Sequence, residues 1–77
     1  MARNDEVTFE IVEQIGVIST NGSWSKEINL VSWNGAAPKY DIRDWDESYE
    51  RMTRGITLTE NQARNLYELL KERFEQD

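Results

Sequence analysis

Apolar and polar residues alternate between Val7 and Val17. The odd positions read Val7, Phe9, Ile11, Glu13, Ile15 and Val17, with Thr8, Glu10 and Gln14 between them. A period of two is that of a half-buried strand, expected over about 7–18, and Gly16 inside it marks a bend or bulge. Asn21-Gly22 then gives a hairpin signal. In "WSKEINLVSW", a second strand over about 24–33, Ile28 and Leu30 share one face while Glu27, Asn29, Val31 and Trp33 share the other. "NGAAPK" turns the chain into "KYDIRDW", a third strand over about 39–45. Tyr40 and Ile42 lie on one of its faces, and Lys39, Asp41, Arg43 and Trp45 on the other. After the polar excursion "DESYERMTR", "GITL" (55–58) reads as a short fourth strand. Thr59 with Gln62 three residues on forms a capping box, which opens a helix over about 60–75. Its apolar stripe is Ala63, Leu66, Tyr67, Leu70 and Phe74.

Four antiparallel strands and one C-terminal helix make an α+β domain in which the helix covers one sheet face and leaves the other open. If Ile28, Leu30, Tyr40 and Ile42 face the core, then Trp33, Lys39, Arg43 and Trp45 share the open face. Trp24 has the parity of the core set and reads as structural. Lys26 shares that parity and joins the open face only through a bulge or at the strand end. The excursion delivers Arg51 and Arg54.

Length and charge narrow the possibilities. With 77 residues, 38% hydrophobic and 31% charged, the chain holds one domain (1–77) and a thin core that a second copy would relieve. It has no cysteine and no histidine, hence no disulfide framework, no thiolate metal site and no imidazole base. No apolar run approaches the roughly 20 residues that span a bilayer, and the polar start "MARNDEVTFE" lacks a signal-peptide core. The expected address is cytoplasmic, nucleoid-associated at most. The net charge is -6, but residues 1–23 carry -3, residues 59–77 carry -2 and residues 24–58 only -1. The acidity lies mainly outside the tryptophan-bearing segment, so an anion site there is compatible with the charge.

Large aromatics and cations on neighbouring strands suit a flexible polyanion. Bases stack on aromatic faces at roughly 1–3 kcal/mol each, and cations follow the phosphates. Stacking needs no net positive charge. Trp33 and Trp45 are the candidate platforms, with Lys26, Lys39, Arg43, Arg51 and Arg54 as phosphate contacts. Against this stand plainer uses: tryptophans as core or interface, Lys39 and Arg43 as cross-strand partners of Asp41 and Asp44, and Arg51 and Arg54 as solvated loop charges. Asp44, Asp46 and Glu50 raise a carboxylate-based metal enzyme as one alternative, although their spacing lacks the glycine and alternating oxygens of a calcium loop. A protein-interaction module on the same face or on a sheet edge is another. No serine or threonine has a visible base.

"INLVSWNG…KYDIRDW…RGITLTENQARNLYELL" resembles the single-stranded-DNA-binding domain of the eukaryotic transcriptional coactivator positive cofactor four, and is similar to its small bacterial YdbC-like branch. The resemblance covers roughly Ile28 to Leu70. It implies a homodimer of curved four-stranded sheets whose helices help to join the subunits and whose grooves take single-stranded DNA with little sequence preference. By motif position it gives binding roles to Trp33, Lys39, Arg43, Trp45 and the Arg54-Gly55 pair; Lys26 and Arg51 are added as helpers from the reading of the residues alone. The serine-rich regulatory tail of the eukaryotic protein has no match in the sequence, so a role in replication, repair or transcription at exposed single strands is expected. No catalysis, cofactor, metal or small-molecule substrate is expected, and RNA is as admissible as DNA. On this reading Trp45→Ala and Arg43→Ala each weaken binding in a protein that stays folded.

Overall fold

The structure, a computed structural model, describes residues 7–76. Most of the polar start read above for a signal peptide lies outside the described residues. Strands β1 (Phe9–Asn21), β2 (Trp24–Trp33), β3 (Lys39–Trp45) and β4 (Ile56–Leu58) form one antiparallel sheet in the order β1-β2-β3-β4, followed by helix α1 (Glu60–Phe74). The expected fold class is the one observed.

Three details differ from the sequence expectation. β1 runs on to Asn21, which pairs with Trp24, so the two-residue turn is Gly22-Ser23 rather than Asn21-Gly22. Gly22 has φ 64° and Ser23 has no positive φ, the combination of a type II′ hairpin turn. β1 also does not alternate simply. Its register with β2 slips between Ile11 and Glu13, between Gln14 and Gly16, and between Val17 and Ser19, so Val12, Ile15 and Ile18 are inserted bulge residues at intervals of three. The face opposite the concave residues of β2 therefore consists of Phe9, Ile11, Gln14 and Val17, which pair with Trp33, Val31, Asn29 and Glu27. Each bulge bends the strand and adds right-handed twist.

Third, the bulged sheet coils until its ends meet. Glu27 is the register partner of Arg43, so Arg43 and Trp33 are six residues apart along the ladder. On a flat sheet that offset would be about 20 Å, at about 3.3 Å per residue. The Arg43 guanidinium nevertheless lies 4.5 Å from the centre of the Trp33 ring. Phe9 packs on both tryptophans, its ring 5.7 Å from Trp33 and 5.1 Å from Trp45.

Coiling reverses the burial expected of the two faces. Val31, Trp45, Asn29 and Asp41 are all fully buried, and Glu27 is 3% exposed, all on the concave side that alternation left open. Ile28, Leu30, Tyr40 and Ile42, the expected core, are only half-buried on the convex side. Helix α1 packs there against β3 and β4. The capping box forms as expected, Gln62 N–H donating to Thr59 Oγ1 at 3.2 Å and Thr59 N–H to Gln62 Oε1 at 2.9 Å. Tyr40 Oη donates to Glu60 at 3.1 Å and ties the first turn to the sheet. Beyond that turn Tyr67, Leu69, Leu70 and Phe74 stay exposed.

Candidate nucleic-acid interface

The β2–β3 hairpin sets one wall of the site. Asn34 and Gly35 have φ 52° and 77°, and Ala36 N–H donates to Trp33 O. This is a tight turn with two left-handed residues, a conformation that Asn and Gly enter at low cost. The Asn34 amide oxygen accepts from the backbone N–H and hydroxyl of Thr8, fixing the turn to the start of β1. The ring of Trp33 then borders a cavity of about 430 Å³ with Lys39, Arg43, Thr57, Val7, Ala36 and Ala37.

Arg43 holds this arrangement. Its Nε and Nη2 each donate to a different Asp41 oxygen at 2.7 Å, and Nη1 donates to Thr53 O at 3.3 Å and to the Met52 sulfur at 3.6 Å. The planar fork matches the carboxylate and leaves the guanidinium over the ring of Trp33. Most of its donors are used inside the protein, so Arg43 orients the platform. Gly55 fits beneath it because a Cβ there would overlap Ile42 O and Arg43 Cβ and come within 3.1 Å of Arg43 Nε. β4 is thereby brought against β3 beside the site, with exposed Arg54 next in the chain.

Trp45 lies elsewhere. It is fully buried between Phe9 and Tyr49, the latter 5.8 Å away, and offers a base no surface. The open platform expected of it is replaced by a core role, because coiling closes the sheet over it. Tyr49 reaches this position with φ 60° and donates from Oη to Glu27 Oε2 at 2.6 Å. Such a φ is unusual for an aromatic residue. Glu27 Oε1 accepts from Asn29 Nδ2 at 3.1 Å. Asp46 shapes the loop that carries Tyr49, accepting from the backbone N–H groups of Glu50 and Arg51 and from the Ser48 hydroxyl. Burial pushes the Asp46 carboxyl up, but the Arg51 N–H, the Ser48 hydroxyl, the Glu50 N–H and the Arg51 charge outweigh it and hold it below its ordinary value.

The donation to Glu27 raises the Tyr49 phenol above its ordinary value; burial and the Glu27 charge add to this, and Gln14 opposes it. A raised phenol pKa favours the neutral form in the folded state, so this stabilisation is complete below about pH 10 and is lost as pH rises through the raised value. Tyr49→Phe is expected to cost about 1.5–3 kcal/mol near pH 7, as for a hydrogen bond to a charged group. The gap to wild type should narrow above about pH 10. Urea unfolding followed by tryptophan fluorescence at pH 7 and pH 11 measures both; an equal gap at the two values would show that the phenol proton is not what holds the loop.

The cations divide by their partners. Lys26 Nζ lies 3.1 Å from Asp44, Arg43 pairs with Asp41, and Arg51 Nε is 3.8 Å from Asp46. Among the described residues Lys39 and Arg54 make no ion pair. Lys26 keeps its parity with Ile28 and stands on the convex face, and Arg51 lies over Trp24, so neither joins Trp33. Asp44 and Asp46, raised above as an enzymatic possibility, are engaged with Lys26 and with the 46–51 loop. The structure thus brings together Trp33, Lys39, Arg43 and Gly55. It separates Trp45, Lys26 and Arg51 from them.

Comparison with known proteins places this geometry in a lineage. The family model described as Transcriptional Coactivator p15 (PC4) matches residues 20–69, well over half of the chain and every candidate cation and tryptophan named above. The chain belongs to the PC4 family. An uncharacterized protein of Treponema pallidum (strain Nichols) is 41% identical over 68 residues, covering 87% of this chain and 80% of that relative. PC4 membership makes this a nucleic-acid-binding, coactivator-like domain of a non-enzymatic family that binds single-stranded DNA. Most of the bulged β1 lies outside the matched stretch. Among the described residues no helix is long and apolar enough to cross a membrane.

Phe9, Glu27 and Tyr49 support the site without having been expected to, and Asp41, expected only as a solvated ion-pair partner, is a buried anchor for Arg43. Asp41 was legible in principle, since Asp-x-Arg on a strand puts acid and base on one face. The others are joined by coiling and by a left-handed residue, neither of which a two-residue period reveals.

Proposed function

We propose that the chain binds single-stranded DNA with little sequence preference, stacking a base on Trp33 and passing the backbone along Lys39 and Arg54. Arg43 holds the ring, and Gly55 lets β4 approach. Trp45 supports the floor of the site. The observation that carries the reading is the open cavity where the Trp33 ring meets Lys39, a cation without a carboxylate partner among the described residues. Bases of any kind have a π-face, so a platform of this type is tolerant of sequence, and the acidity of the whole chain does not oppose stacking.

The protein works as a homodimer on this reading. Ile15, Tyr67, Leu70 and Phe74 are 46%, 59%, 45% and 79% exposed, and Ile15 and Tyr67 border the same convex groove as Ile28, Tyr40 and Ala63. Apolar residues gathered on one face of so small a domain suit a second copy packed against them.

Anisotropy titration of labelled oligo-dT, single-stranded and annealed to oligo-dA, tests the function. Tighter binding of the single strand is expected. Trp33→Ala should weaken it about tenfold, as for the loss of one stacked base at about 1–3 kcal/mol. Lys39→Gln with Arg54→Gln should lower the slope of log K against log salt by about 1.4 per protomer, from two phosphate contacts at about 0.7 each. No binding at low salt would overturn the reading.

A further inference from the structure

Lys26 and Arg51 do not join the Trp33 site, yet with Trp24 they form a grouping of the same chemistry at the opposite end of β2. We infer that Trp24, Lys26 and Arg51 are a second subsite for the same single strand, taking a base and its phosphate on the convex face by the β1–β2 turn; this rests on the single-strand reading above.

The placement follows from register. Asn21 pairs with Trp24, Ser19 with Lys26, and Lys26 with Asp44, so these five residues share one face at one end of the sheet. They surround an opening of about 370 Å³ together with Thr53. α1 packs on β3 and β4 and leaves this end uncovered. Trp24 is half-buried, which anchors the ring, and the Arg51 guanidinium lies over it at 5.7 Å. The Arg51 side chain is 74% exposed, so it can share that face with a base, or stack on the base in turn. Lys26 is 46% exposed and held by Asp44. Exposed pairs of this kind are weak, because water screens both charges, so a phosphate can replace the carboxylate at little cost. Asp44 acts as the resident anion that the strand displaces.

The test uses two lengths of single-stranded oligo-dT, about 4 and about 16 nucleotides, the limits of site size for comparable single-strand modules. Lys26→Gln with Arg51→Gln changes only exposed side chains and leaves the fold intact; Trp24→Leu is read beside it, with melting curves for both. Binding of the longer strand should weaken at least fivefold in each variant while the shorter strand binds as to wild type, and Asp44→Asn should strengthen the longer strand. If wild type binds both lengths and the double variant matches it on the longer strand, the subsite is overturned alone. If wild type binds neither length, the single-strand reading fails and the subsite with it.

Discussion

Trp45→Ala is expected to cost about 3–5 kcal/mol of stability, as when a fully buried large aromatic is truncated and the surrounding core closes only in part. Trp45 has no exposed surface and is held between Phe9 and Tyr49, with Phe9 bridging to Trp33. Small domains are stable by only about 5–15 kcal/mol, so this loss takes a large share of the total. Melting should fall by more than about 10 °C, at about 4–8 °C per kcal/mol for a domain of this size. Trp45→Phe keeps most of the packing and should lose far less. Trp33→Ala removes a half-buried ring at the rim and should show mainly in affinity. The effect expected of Trp45 from its place in the sequence thus moves from binding to folding. Thermal melts beside oligo-dT titrations separate the two: a Trp45→Ala protein that melts like wild type but binds weakly would put Trp45 back on the surface.

Strand order, the helix cap, the α+β class and the face shared by Trp33, Lys39 and Arg43 were legible, because each follows from a local rule: period two, Thr59 with Gln62, and strand parity. Which face would close was not. Parity divides residues into two sets but does not say which way a sheet bends. That is decided by the three inserted residues Val12, Ile15 and Ile18, of which Ile15 falls on the odd, apolar positions and hides its insertion, while Val12 and Ile18 break the alternation at even ones. Once the sheet coils toward the Glu27–Asn29–Val31 side, that set is buried despite its polar members. The set headed by Ile28 is left half-covered. The buried charged residues then need partners, and they have them: Tyr49 and Asn29 for Glu27, and Arg43 for Asp41, while Asn29 Oδ1 and the indole N–H groups of Trp33 and Trp45 are buried without a hydrogen bond among the described residues. Buried polar groups that find partners lend a small core a specific arrangement.

The same curvature links stability to the site. Arg43 reaches Trp33, and Phe9 reaches Trp45, only because the sheet ends approach each other, while Phe9 is the direct ladder partner of Trp33, so the platform is held by both near and distant contacts. A half-buried ring supported on one side by a fixed guanidinium is already oriented when a base arrives. Less ordering is then required on binding.

Asp41→Ala is the second large effect. Asp41 is fully buried and takes two 2.7 Å bonds from Arg43, whose side chain is only 13% exposed. Removing the acid leaves a guanidinium nearly out of water without its counter-charge, a loss of about 3–5 kcal/mol for a broken buried pair. Replacing both partners by apolar residues, Asp41→Leu with Arg43→Met, is expected to restore much of that stability, since a buried pair rarely outperforms well-packed side chains of similar volume. It should not restore binding, because the cation behind Trp33 is gone. Urea unfolding of both variants, with oligo-dT titration of the double variant, tests the two roles separately. A single variant that loses less than about 1 kcal/mol, the range of an exposed pair, would show that the fork is dispensable for the fold. A double variant that binds like wild type would show that Trp33 needs no guanidinium to hold it.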